Sequence, residues 1–381
     1  SIILRWVRVA LMSLFALLFG LLFAEVILAI GLPQLHVRPK VWQFDRQLGW
    51  AHIPNAHGRL VTPEFDVEYR INNFGLRDPD SLSARSGKCI LFFGDSFAEG
   101  WGVPIDQAVS ERLQENISQK QIANQVHNFG VAGYGTDQQL LMFQRISERF
   151  SPDIVIVLFY GNDLWNNSLS RGIGVERGYK PRFVLGPRNS LHLTGVPVRR
   201  TRYWDTDSDN LPMKWRMSRY FRENWHLAVL LHKAFAEEVP TNQQNDFYLA
   251  LYGLGESADR FEELWTITDR LLLEFDQRVR ASGARLALVY APAIVQVEAE
   301  DWKAKKKLHG LIESYDIHKP NERLREIAEK YEIPFLDLGP SFNLAAVSST
   351  LFYRDSHWNQ SGHALAARDI LDFLIERNWF E

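Results

Sequence analysis

The sequence predicts an α/β protein whose central parallel sheet is covered by helices on both faces. Two observations support this fold class: short runs of apolar residues recur along the chain, and amphipathic segments of helical period lie between them. The apolar runs occupy residues 89–95, 125–133, 153–163, 285–293 and 333–339, and the amphipathic segments include residues 107–117, 136–150 and 259–282. Uninterrupted apolar strands that alternate with helices are typical of a parallel sheet buried on both faces.

The size and composition of the chain limit the classes of function that the protein can have. Its 381 residues are enough for one large α/β domain with insertions or for two domains. A net charge of -3 gives no basic surface, so we expect no nucleic-acid partner. Cys89 is the single cysteine, which excludes an intramolecular disulfide and a cysteine-based metal site. We expect no metal, because Asp355, His357 and His363 match no familiar ligand spacing. We also expect no cofactor, because GVAGYG at 130–135 is not the G-x-G-x-x-G dinucleotide fingerprint.

The amino-terminal segment has the composition of a membrane span. Residues 9–32 are uncharged apart from Glu25, and a helix of this length is roughly 36 Å long, enough to cross a bilayer. A cleaved signal peptide is the alternative, but its apolar core usually has only about 7–15 residues. We therefore predict a short cytoplasmic terminus at residues 1–8, a retained transmembrane helix, and the rest of the chain on the opposite side. Glu25 is expected to reach the interface or to meet a polar group on a partner helix.

The remaining chain divides into three parts by its residue pattern. Residues 33–85 combine turn signals with an alternating strand pattern and predict a β-rich collar. The α/β core is predicted at residues 86–165 and 255–381, and it ends in a helix capped by Asn359. Between the two core segments, residues 166–254 hold a hairpin pattern and a basic, aromatic helical stretch. They predict an inserted cap over the active face or a docking surface.

Small and polar residues end the first three apolar runs, at points that the fold would bring together. They include Ser96, Gly130 and Asn162, while Asp355 and His357 lie just before the final helix. In an open parallel sheet, ligands bind beyond the carboxyl ends of the strands. We therefore expect these four segments of the chain to converge on one edge of the sheet.

These residue types fit nucleophilic acyl transfer. The Ser96 hydroxyl needs a base, which His357 can supply, and the base needs an acceptor such as Asp355 that orients it and stabilises the imidazolium. An extended backbone would point both of these side chains to the same side. Candidate oxyanion donors are the amide of Ser96, the amide of Gly130 and the side-chain NH₂ of Asn162. A role for Ser96 as a helix cap alone would leave the other residues unexplained.

Four blocks of sequence resemble those of the SGNH, or GDSL-type, hydrolase superfamily. They are GDSFAEG at 94–100, NFGVAGYG at 128–135, GND at 161–163 and DSHWNQSGH at 355–363. The resemblance covers roughly residues 86–165 and 256–381. It implies a flavodoxin-like three-layer sandwich. The roles that it implies are nucleophile for Ser96, oxyanion donors for Gly130 and Asn162, base for His357 and partner of the base for Asp355.

The last block differs from the common form of the superfamily. Most members have Asp-x-x-His, whereas this chain has Asp355-Ser-His357 followed by Trp358. The shorter form resembles bacterial polysaccharide O-acetyltransferases of the alginate type and their membrane-anchored relatives. It leaves open whether the net reaction is hydrolysis or transfer. The anchor and the collar motifs resemble a group of bacterial single-pass members of the superfamily; these motifs are LGW at 48–50, PN at 54–55, YRIN at 69–72 and GLRD at 75–78. That resemblance implies a protein of the bacterial inner membrane whose main domain faces the periplasm or the cell exterior.

Five further residues lie in the blocks or close to them. Trp101, Trp165 and Trp358 are candidates for stacking against a sugar ring and equally for hydrophobic packing. Asp95 and Asp163 are expected to fix the geometry of their loops through hydrogen bonds.

Three functions follow from these observations. The leading hypothesis is a membrane-anchored serine esterase or deacylase that acts on acyl esters, mainly acetyl esters, of an envelope glycan or lipid. The second is an O-acyltransferase of a cell-envelope polysaccharide, and the third is a non-catalytic SGNH-fold subunit of a membrane complex. The expected partners are an acylated glycan or lipid and the bilayer through residues 9–32. A membrane protein bound through the anchor helix or the insert is a further candidate.

Overall fold

The computed structural model of the chain describes residues 2–79, 87–172, 178–201, 213–235 and 242–381. Its contacts define two compact units. The first unit comprises Ser1–Pro39, Arg59–Val67 and Thr206–Val239, and the second comprises Lys40–Gly58, Glu68–Asp205 and Pro240–Glu381. The segment predicted as one insert, residues 166–254, is therefore divided between the two units.

The described residues form the following strands and helices. The strands are β1 (Trp42–Asp45), β2 (Gly49–His52), β3 (His57–Val61), β4 (Asp66–Arg70), β5 (Lys88–Phe93), β6 (Asn124–Asn128), β7 (Ile154–Tyr160), β8 (Arg182–Leu185), β9 (Leu191–Thr194), β10 (Arg285–Ala291) and β11 (Phe335–Asp337). The helices are α1 (Ile2–Gly31), α2 (Ser96–Glu99), α3 (Val109–Gln119), α4 (Thr136–Phe150), α5 (Asn162–Asn166), α6 (Met213–Asn224), α7 (His226–Phe235), α8 (Asn242–Tyr252), α9 (Glu256–Asp259), α10 (Glu262–Ala281), α11 (Ile294–Val297), α12 (Ala299–His309), α13 (Lys319–Lys330), α14 (Gly339–Ala345) and α15 (Gln360–Glu376).

Five of the described strands form the parallel sheet of the second unit. Their spatial order is β11-β10-β7-β5-β6, and every pair is parallel. Numbered along the chain, this is the 2-1-3-4-5 order of flavodoxin-like sheets. The order reverses between β5 and β7, which is where ligands bind in this architecture. The predicted α/β fold with a parallel central sheet is confirmed.

Helices cover both faces of this sheet. Because crossovers between parallel strands are right-handed, α3 lies on one face and α4 and α10 lie on the other. Helix α15 packs against α3, and α10 packs against α4. The side chain of Asn359 accepts hydrogen bonds from the amides of Ser361 and Gly362 at the start of α15, so the predicted cap is confirmed.

The collar and the insert contain the short elements that their patterns predict. In β4, Val67 and Tyr69 are buried while the residues on either side are exposed, which is the expected alternation. Strands β8 and β9 form an antiparallel hairpin in which Arg182 faces Thr194. The helical stretch predicted at 213–235 is interrupted at Trp225, where α6 ends and α7 begins.

The first unit contains the apolar amino-terminal helix. Helix α1 extends from Ile2 to Gly31, so residues 2–8 are helical and lead into the predicted span without a break. Within the described residues, α1 is the one helix long and apolar enough to cross a membrane, a property shared by membrane anchors and signal sequences. Glu25 accepts hydrogen bonds from the backbone amides of His226 (2.7 Å) and Leu227 (2.8 Å). The polar partner of Glu25 thus comes from α7 of the same chain.

Candidate active site

Ser96 occupies a tight turn between a buried strand and a short helix. Strand β5 ends at Phe93, and Ser96 is the first residue of α2. Asp95 caps this helix, since its Oδ1 accepts the amide of Phe97 at 2.9 Å. Gly94 is required at the turn because a Cβ there would lie 2.7 Å from the Cβ of Ala98. The turn places the Ser96 hydroxyl at the carboxyl edge of the sheet, beside the point where the strand order reverses.

The structure brings Ser96, His357 and Asp355 together. Ser96 Oγ lies 2.8 Å from His357 Nε2, which is a hydrogen-bond distance between a nucleophile and its base. On the other side of the ring, His357 Nδ1 lies 3.3 Å from Asp355 Oδ1. This second contact has the distance of an ion pair but not the alignment of a regular hydrogen bond. The three side chains therefore lie in the order that a nucleophile, its base and an orienting acid require.

Asp355 and His357 lie in a tight turn rather than on the extended segment predicted from the sequence. Ser356 between them has a φ of +73°, in the left-handed region. Asp355 Oδ1 accepts the backbone amide of His357 at 3.1 Å, and the turn is closed by a hydrogen bond from the amide of Tyr353 to the carbonyl of His357 at 2.8 Å. The side chains therefore meet because the backbone folds back, not because they alternate along a strand.

Trp101 and Phe97 hold the catalytic imidazole and its acid. Trp101 Nε1 donates to Asp355 Oδ2 at 3.2 Å, and its ring lies 5.6 Å from the His357 ring. The Phe97 ring lies 5.1 Å from the same imidazole. Burial raises the pKa of the Asp355 carboxyl, but its contacts with His357 outweigh this effect and leave the pKa below its usual value. The carboxylate is therefore ionised where the imidazolium forms.

The three tryptophans proposed for sugar stacking contact other side chains of the protein. Trp358 is fully buried and packs against Phe97 and Phe342, so the predicted substrate contact is wrong for this residue. Trp101 is also buried, and its indole binds the catalytic acid instead of facing solvent. Trp165 is half-buried, with its ring 6.2 Å from the rings of two phenylalanines, Phe247 and Phe261. Hydrophobic packing, the alternative interpretation, describes all three positions.

The predicted oxyanion donors differ in their availability. Ser96 is the first residue of α2, so its amide has no acceptor within the helix. One N–H of Asn162 donates to Asp95 Oδ2 at 2.8 Å, which leaves its second N–H for a ligand. The amide of Gly130, in contrast, donates to Asn128 Oδ1 at 2.8 Å. The structure therefore corrects the role predicted for Gly130, since its N–H is engaged within the protein.

Gly130 is required for a different reason from the one that the sequence suggested. A Cβ at this position would lie 2.3 Å from the amide nitrogen of Glu99 and 2.6 Å from the carbonyl carbon of Ala98. The absent side chain lets the loop after β6 pack directly on α2. Asn128 completes this packing, because its Nδ2 donates to the carbonyl of Ala98 at 2.9 Å.

Two buried carboxyls fix the loops around the site, as the sequence predicted. Asp95 binds both Phe97 and Asn162, and burial raises the pKa of this carboxyl. Asp163 Oδ2 accepts hydrogen bonds from Thr136 Oγ1 and Gln139 Nε2, both at 3.0 Å. Burial and the nearby charge of Asp95 raise the pKa of Asp163 well above its usual value. The contacts of Asp163 hold α5 to α4, while the hydrogen bond from Asn162 to Asp95 orients the Asn162 amide.

Arg77 supports the nucleophile segment, a role that the sequence did not reveal. Its guanidinium is buried and donates to the carbonyls of Glu99 (2.8 Å), Gly100 (2.6 Å) and Val103 (2.6 Å). It also lies 4.0 Å above the Tyr69 ring. The Glu99 carbonyl is the last of α2 and the other two follow the helix, so Arg77 satisfies acceptors at the end of the helix that begins with Ser96. The only sequence signal was the position of Arg77 in the GLRD motif of the collar.

The site has no arrangement of ligands for a metal. Among the described residues, no group of three or more His, Cys, Asp or Glu side chains is placed to hold an ion. His363, which follows the catalytic pair in sequence, is buried with its ring 5.6 Å from the Trp358 ring. Burial lowers its pKa to about 3, so this imidazole is neutral.

Two family models match the chain over the segments that build this site. A model of the GDSL-like lipase/acylhydrolase family matches residues 92–181, and a model of the SGNH hydrolase-like domain of the acetyltransferase AlgX matches residues 256–381. The first match contains Ser96 and Asn162, and the second contains Asp355 and His357. Together they confirm the SGNH, or GDSL-type, hydrolase superfamily. The protein is a serine hydrolase of this type or a related O-acetyltransferase.

Solved structures with similarity to the chain are esterases and related proteins of low identity. They include TesA (11% identity, TM-score 0.40, 75% of this chain and 98% of that chain), the acetyl xylan esterase AlAXEase (14%, 0.39, 74% and 98%) and the psychrotrophic esterase EstA from Pseudoalteromonas sp. (12%, 0.38, 76% and 98%). The comparison with curated protein sequences finds no match.

Proposed function

We propose that the protein is a membrane-anchored serine esterase that removes acyl groups, mainly acetyl groups, from a glycan or lipid of the bacterial cell envelope. The observation that carries this proposal is the 2.8 Å contact between Ser96 Oγ and His357 Nε2, with Asp355 behind the imidazole. The AlgX-type match over residues 256–381 supports acetyl as the acyl group. The length and composition of α1 support the anchor.

The first half-reaction forms an acyl-serine. Ser96 Oγ attacks the ester carbonyl while His357 Nε2 takes the hydroxyl proton, and the Asp355 carboxylate stabilises the imidazolium. The Ser96 amide and the second N–H of Asn162 donate to the oxyanion of the tetrahedral intermediate. His357 then returns its proton to the leaving alcohol as the carbon–oxygen bond breaks. The product is an ester between the acyl group and Ser96.

The second half-reaction releases the acyl group. A water molecule attacks the acyl-serine carbonyl, His357 removes its proton, and the same donors hold the new oxyanion. Collapse of the intermediate returns the proton to Ser96 Oγ and releases the carboxylic acid. His357 is suited to act as the base in both half-reactions, because Asp355 contacts its Nδ1 and Ser96 contacts its Nε2.

An O-acyltransferase is the second candidate, and a specific observation favours it. The C-terminal third of the chain matches an acetyltransferase domain, and it contains the short Asp355-Ser356-His357 turn. A transferase would share the first half-reaction and differ only in the second, where a sugar hydroxyl replaces water. Both reactions require the same activated Ser96.

Labelling with a fluorophosphonate tests the shared chemistry. We expect the wild-type chain and Ser110→Ala to be labelled, and Ser96→Ala and His357→Ala to remain unlabelled. Ser110 is a matched control because it is buried in α3 and its hydroxyl has no partner among the described residues. An unlabelled wild-type chain that is correctly folded would favour the non-catalytic subunit instead.

Product analysis separates hydrolysis from transfer. Release of acetate from an aryl acetate, unchanged by added oligosaccharide, supports the esterase. An acetylated oligosaccharide formed in the presence of an acetyl donor supports the transferase. Ser96→Ala is the negative control in both assays, because it removes the nucleophile that both reactions share.

The proposed orientation places the α/β unit outside the cytoplasm. A cysteine introduced at Ile312, which is 92% exposed, is then expected to react with a membrane-impermeant maleimide in intact spheroplasts. Reaction only after permeabilisation would place the α/β unit on the cytoplasmic side.

A further inference from the structure

Helices α6 and α7 carry apolar side chains that the structure leaves uncovered. Met213, Met217, Tyr220 and Phe221 in α6 are 68%, 52%, 58% and 38% exposed. Their spacing of four, three and one residues places them on one stripe of the helix. Leu231 in α7 is 48% exposed. A contiguous exposed stripe of large apolar side chains marks a surface that binds another apolar phase or molecule.

The same segment is strongly basic. Residues 213–235 contain five basic residues, which are Lys214, Arg216, Arg219, Arg222 and Lys233, and one acidic residue, Glu223. The whole chain has a net charge of -3, so this positive charge is local. In a helical projection Lys214 and Arg216 flank the apolar stripe, and both are exposed. An apolar stripe bordered by basic residues is the pattern of helices that lie in the interface of an anionic membrane.

Glu25 fixes the start of α7 against α1. Its two carboxylate oxygens accept the amides of His226 and Leu227, the first two residues of α7. A carboxylate is favourable there because the first amides of a helix have no partner within it and carry partial positive charge. Further along the chain, the amide of Gln34 donates to His226 Nδ1 at 2.7 Å. Two contacts, one on each side of the end of α1, therefore hold α7 to it.

The position of Glu25 sets the depth of α7. Glu25 precedes Leu32, the last residue of the apolar span, by seven residues, which corresponds to about 10 Å along a helix. If α1 spans the bilayer, the start of α7 lies about 10 Å below the point where the span leaves it. Interfacial helices bury their apolar face by about 5–10 Å at the boundary between headgroups and acyl chains. The depth set by Glu25 agrees with this range.

We propose that α6 and α7 lie in the interface of an anionic lipid bilayer, with the stripe of Met213, Met217, Tyr220 and Phe221 in contact with acyl chains. This inference rests on the proposed function in one respect, since it requires α1 to be a membrane anchor. The occupant of the surface is lipid because the surface belongs to the same compact unit as the apolar helix α1 and carries charge opposite to that of anionic headgroups. Glu25 holds α7 to α1 through its two hydrogen bonds.

Spin-label depth measurements on the full chain test the inference. Single cysteines at Met217 and Leu231 are labelled with a nitroxide in a Cys89→Ala background, and the protein is reconstituted into vesicles of phosphatidylcholine and phosphatidylglycerol. Phe19→Cys in α1 is the acyl-chain control, and Ile312→Cys is the water control. In the wild-type chain Cys89 would react poorly with the label, because burial raises its pKa to about 12, and the Ala substitution removes the thiol altogether. Collisions with oxygen and with a water-soluble nickel chelate report the depth of each label.

We expect the labels at Met217 and Leu231 to collide more with oxygen than with the nickel chelate, as Phe19 does, and Ile312 to show the reverse. Replacing Lys214 and Arg216 with Ala is expected to shift the Met217 label towards water by roughly thirtyfold in vesicles that contain phosphatidylglycerol. The shift is expected to be much smaller in vesicles of phosphatidylcholine alone. Glu25→Ala is expected to release the Leu231 label, whereas Ser13→Ala in the same helix is expected to leave it in place.

Three outcomes would overturn the inference, and they are distinguishable. If Met217 and Leu231 behave like Ile312 while Phe19 stays in the acyl chains, the anchor stands and the interfacial helices do not. If Phe19 also behaves like Ile312, the anchor of the proposed function fails as well. If both labels are shielded from oxygen and from the chelate alike, the surface binds a second copy of the chain instead of lipid.

Discussion

Replacing Trp101 with Phe tests whether the indole N–H positions the catalytic acid. The substitution keeps an aromatic ring beside His357 and removes the 3.2 Å hydrogen bond to Asp355 Oδ2. Among the described contacts, Trp101 is the one donor to this oxygen, while Oδ1 receives the backbone amide of His357. Without the indole, the carboxylate is free to turn away from Nδ1, to which it is not firmly bonded.

The magnitude follows from the charge and exposure of the acceptor. A hydrogen bond to a charged group contributes about 1.5–3 kcal/mol. The Asp355 side chain is 35% exposed, so water can replace the lost donor and the lower value applies. A loss of about 1.4 kcal/mol is a factor of ten in rate. We therefore expect kcat of Trp101→Phe to fall roughly tenfold, with little change in KM, because the acid acts mainly on the imidazolium formed in the transition state.

Trp265→Phe is the matched control for this measurement. Trp265 is also buried, and its Nε1 donates to the carbonyl of Ala250 at 3.2 Å, the same length as the bond to Asp355. Both variants lose an indole hydrogen bond and some packing, so both are expected to lower Tm by a few degrees. Only Trp101→Phe is expected to slow aryl acetate hydrolysis and fluorophosphonate labelling in parallel.

Two results would refute this reasoning. The first is a kcat for Trp101→Phe within twofold of the wild type, which would mean that the indole does not orient Asp355. The second is an equal loss of kcat in Trp265→Phe, which would assign the effect to general loosening of the fold.

Three further predictions follow from the site. Asn162→Ala is expected to lower kcat by roughly 10²–10³ because it removes an oxyanion donor, and an unchanged kcat would exclude Asn162 from that role. Ser356→Gly is expected to keep kcat and Tm, whereas Ser356→Val is expected to lower both, since a φ of +73° costs an L-residue about 1–2 kcal/mol. Equal behaviour of the two variants would show that this backbone conformation is not required. The pKa of the Asp163 carboxyl is raised in the folded state, whereas it is about 3.9 in the unfolded state. Between these two pKa values the folded state binds one more proton than the unfolded state, so the free energy of unfolding falls as pH rises through this range. Asp163→Asn is expected to remove this decline, and Tm measured from pH 4 to pH 8 would contradict the assignment if both proteins followed the same curve.

Much of the α/β fold could be predicted because it depends on local pattern and on simple topological rules. Apolar runs identify β5 and β7, and the end of each run identifies a loop at the carboxyl edge of the sheet. Ser96 and Asn162 lie in these loops, so the sequence alone indicated that they would be neighbours. The N-cap of α15 was equally local, since Asn359 binds amides only two and three residues further on.

The remaining features of the site depend on contacts that no local pattern encodes. Trp101 and Asp355 are 254 residues apart, and only the docking of two loops shows that the indole binds the acid. Arg77 supports α2 from the collar, a segment whose pattern indicated only strands and turns. The left-handed conformation of Ser356 was missed because serine does not signal it as glycine would. Gly130 was predicted as an oxyanion donor, whereas the contact that requires a glycine there is a tertiary one with α2.

Ser96 and the indole that binds Asp355 belong to one short segment of the chain, so the single Asp-x-His turn contacts both. Ser96 begins α2, and the amide of Trp101 donates back to the carbonyl of Ser96 at 2.9 Å, so these two residues move together. The turn that carries Asp355 and His357 contacts this segment through the hydroxyl of Ser96 and through the indole of Trp101. Docking of a single turn therefore makes both contacts at once. Because a displacement of the turn breaks both, the effects of weakening each contact are expected to be strongly non-additive.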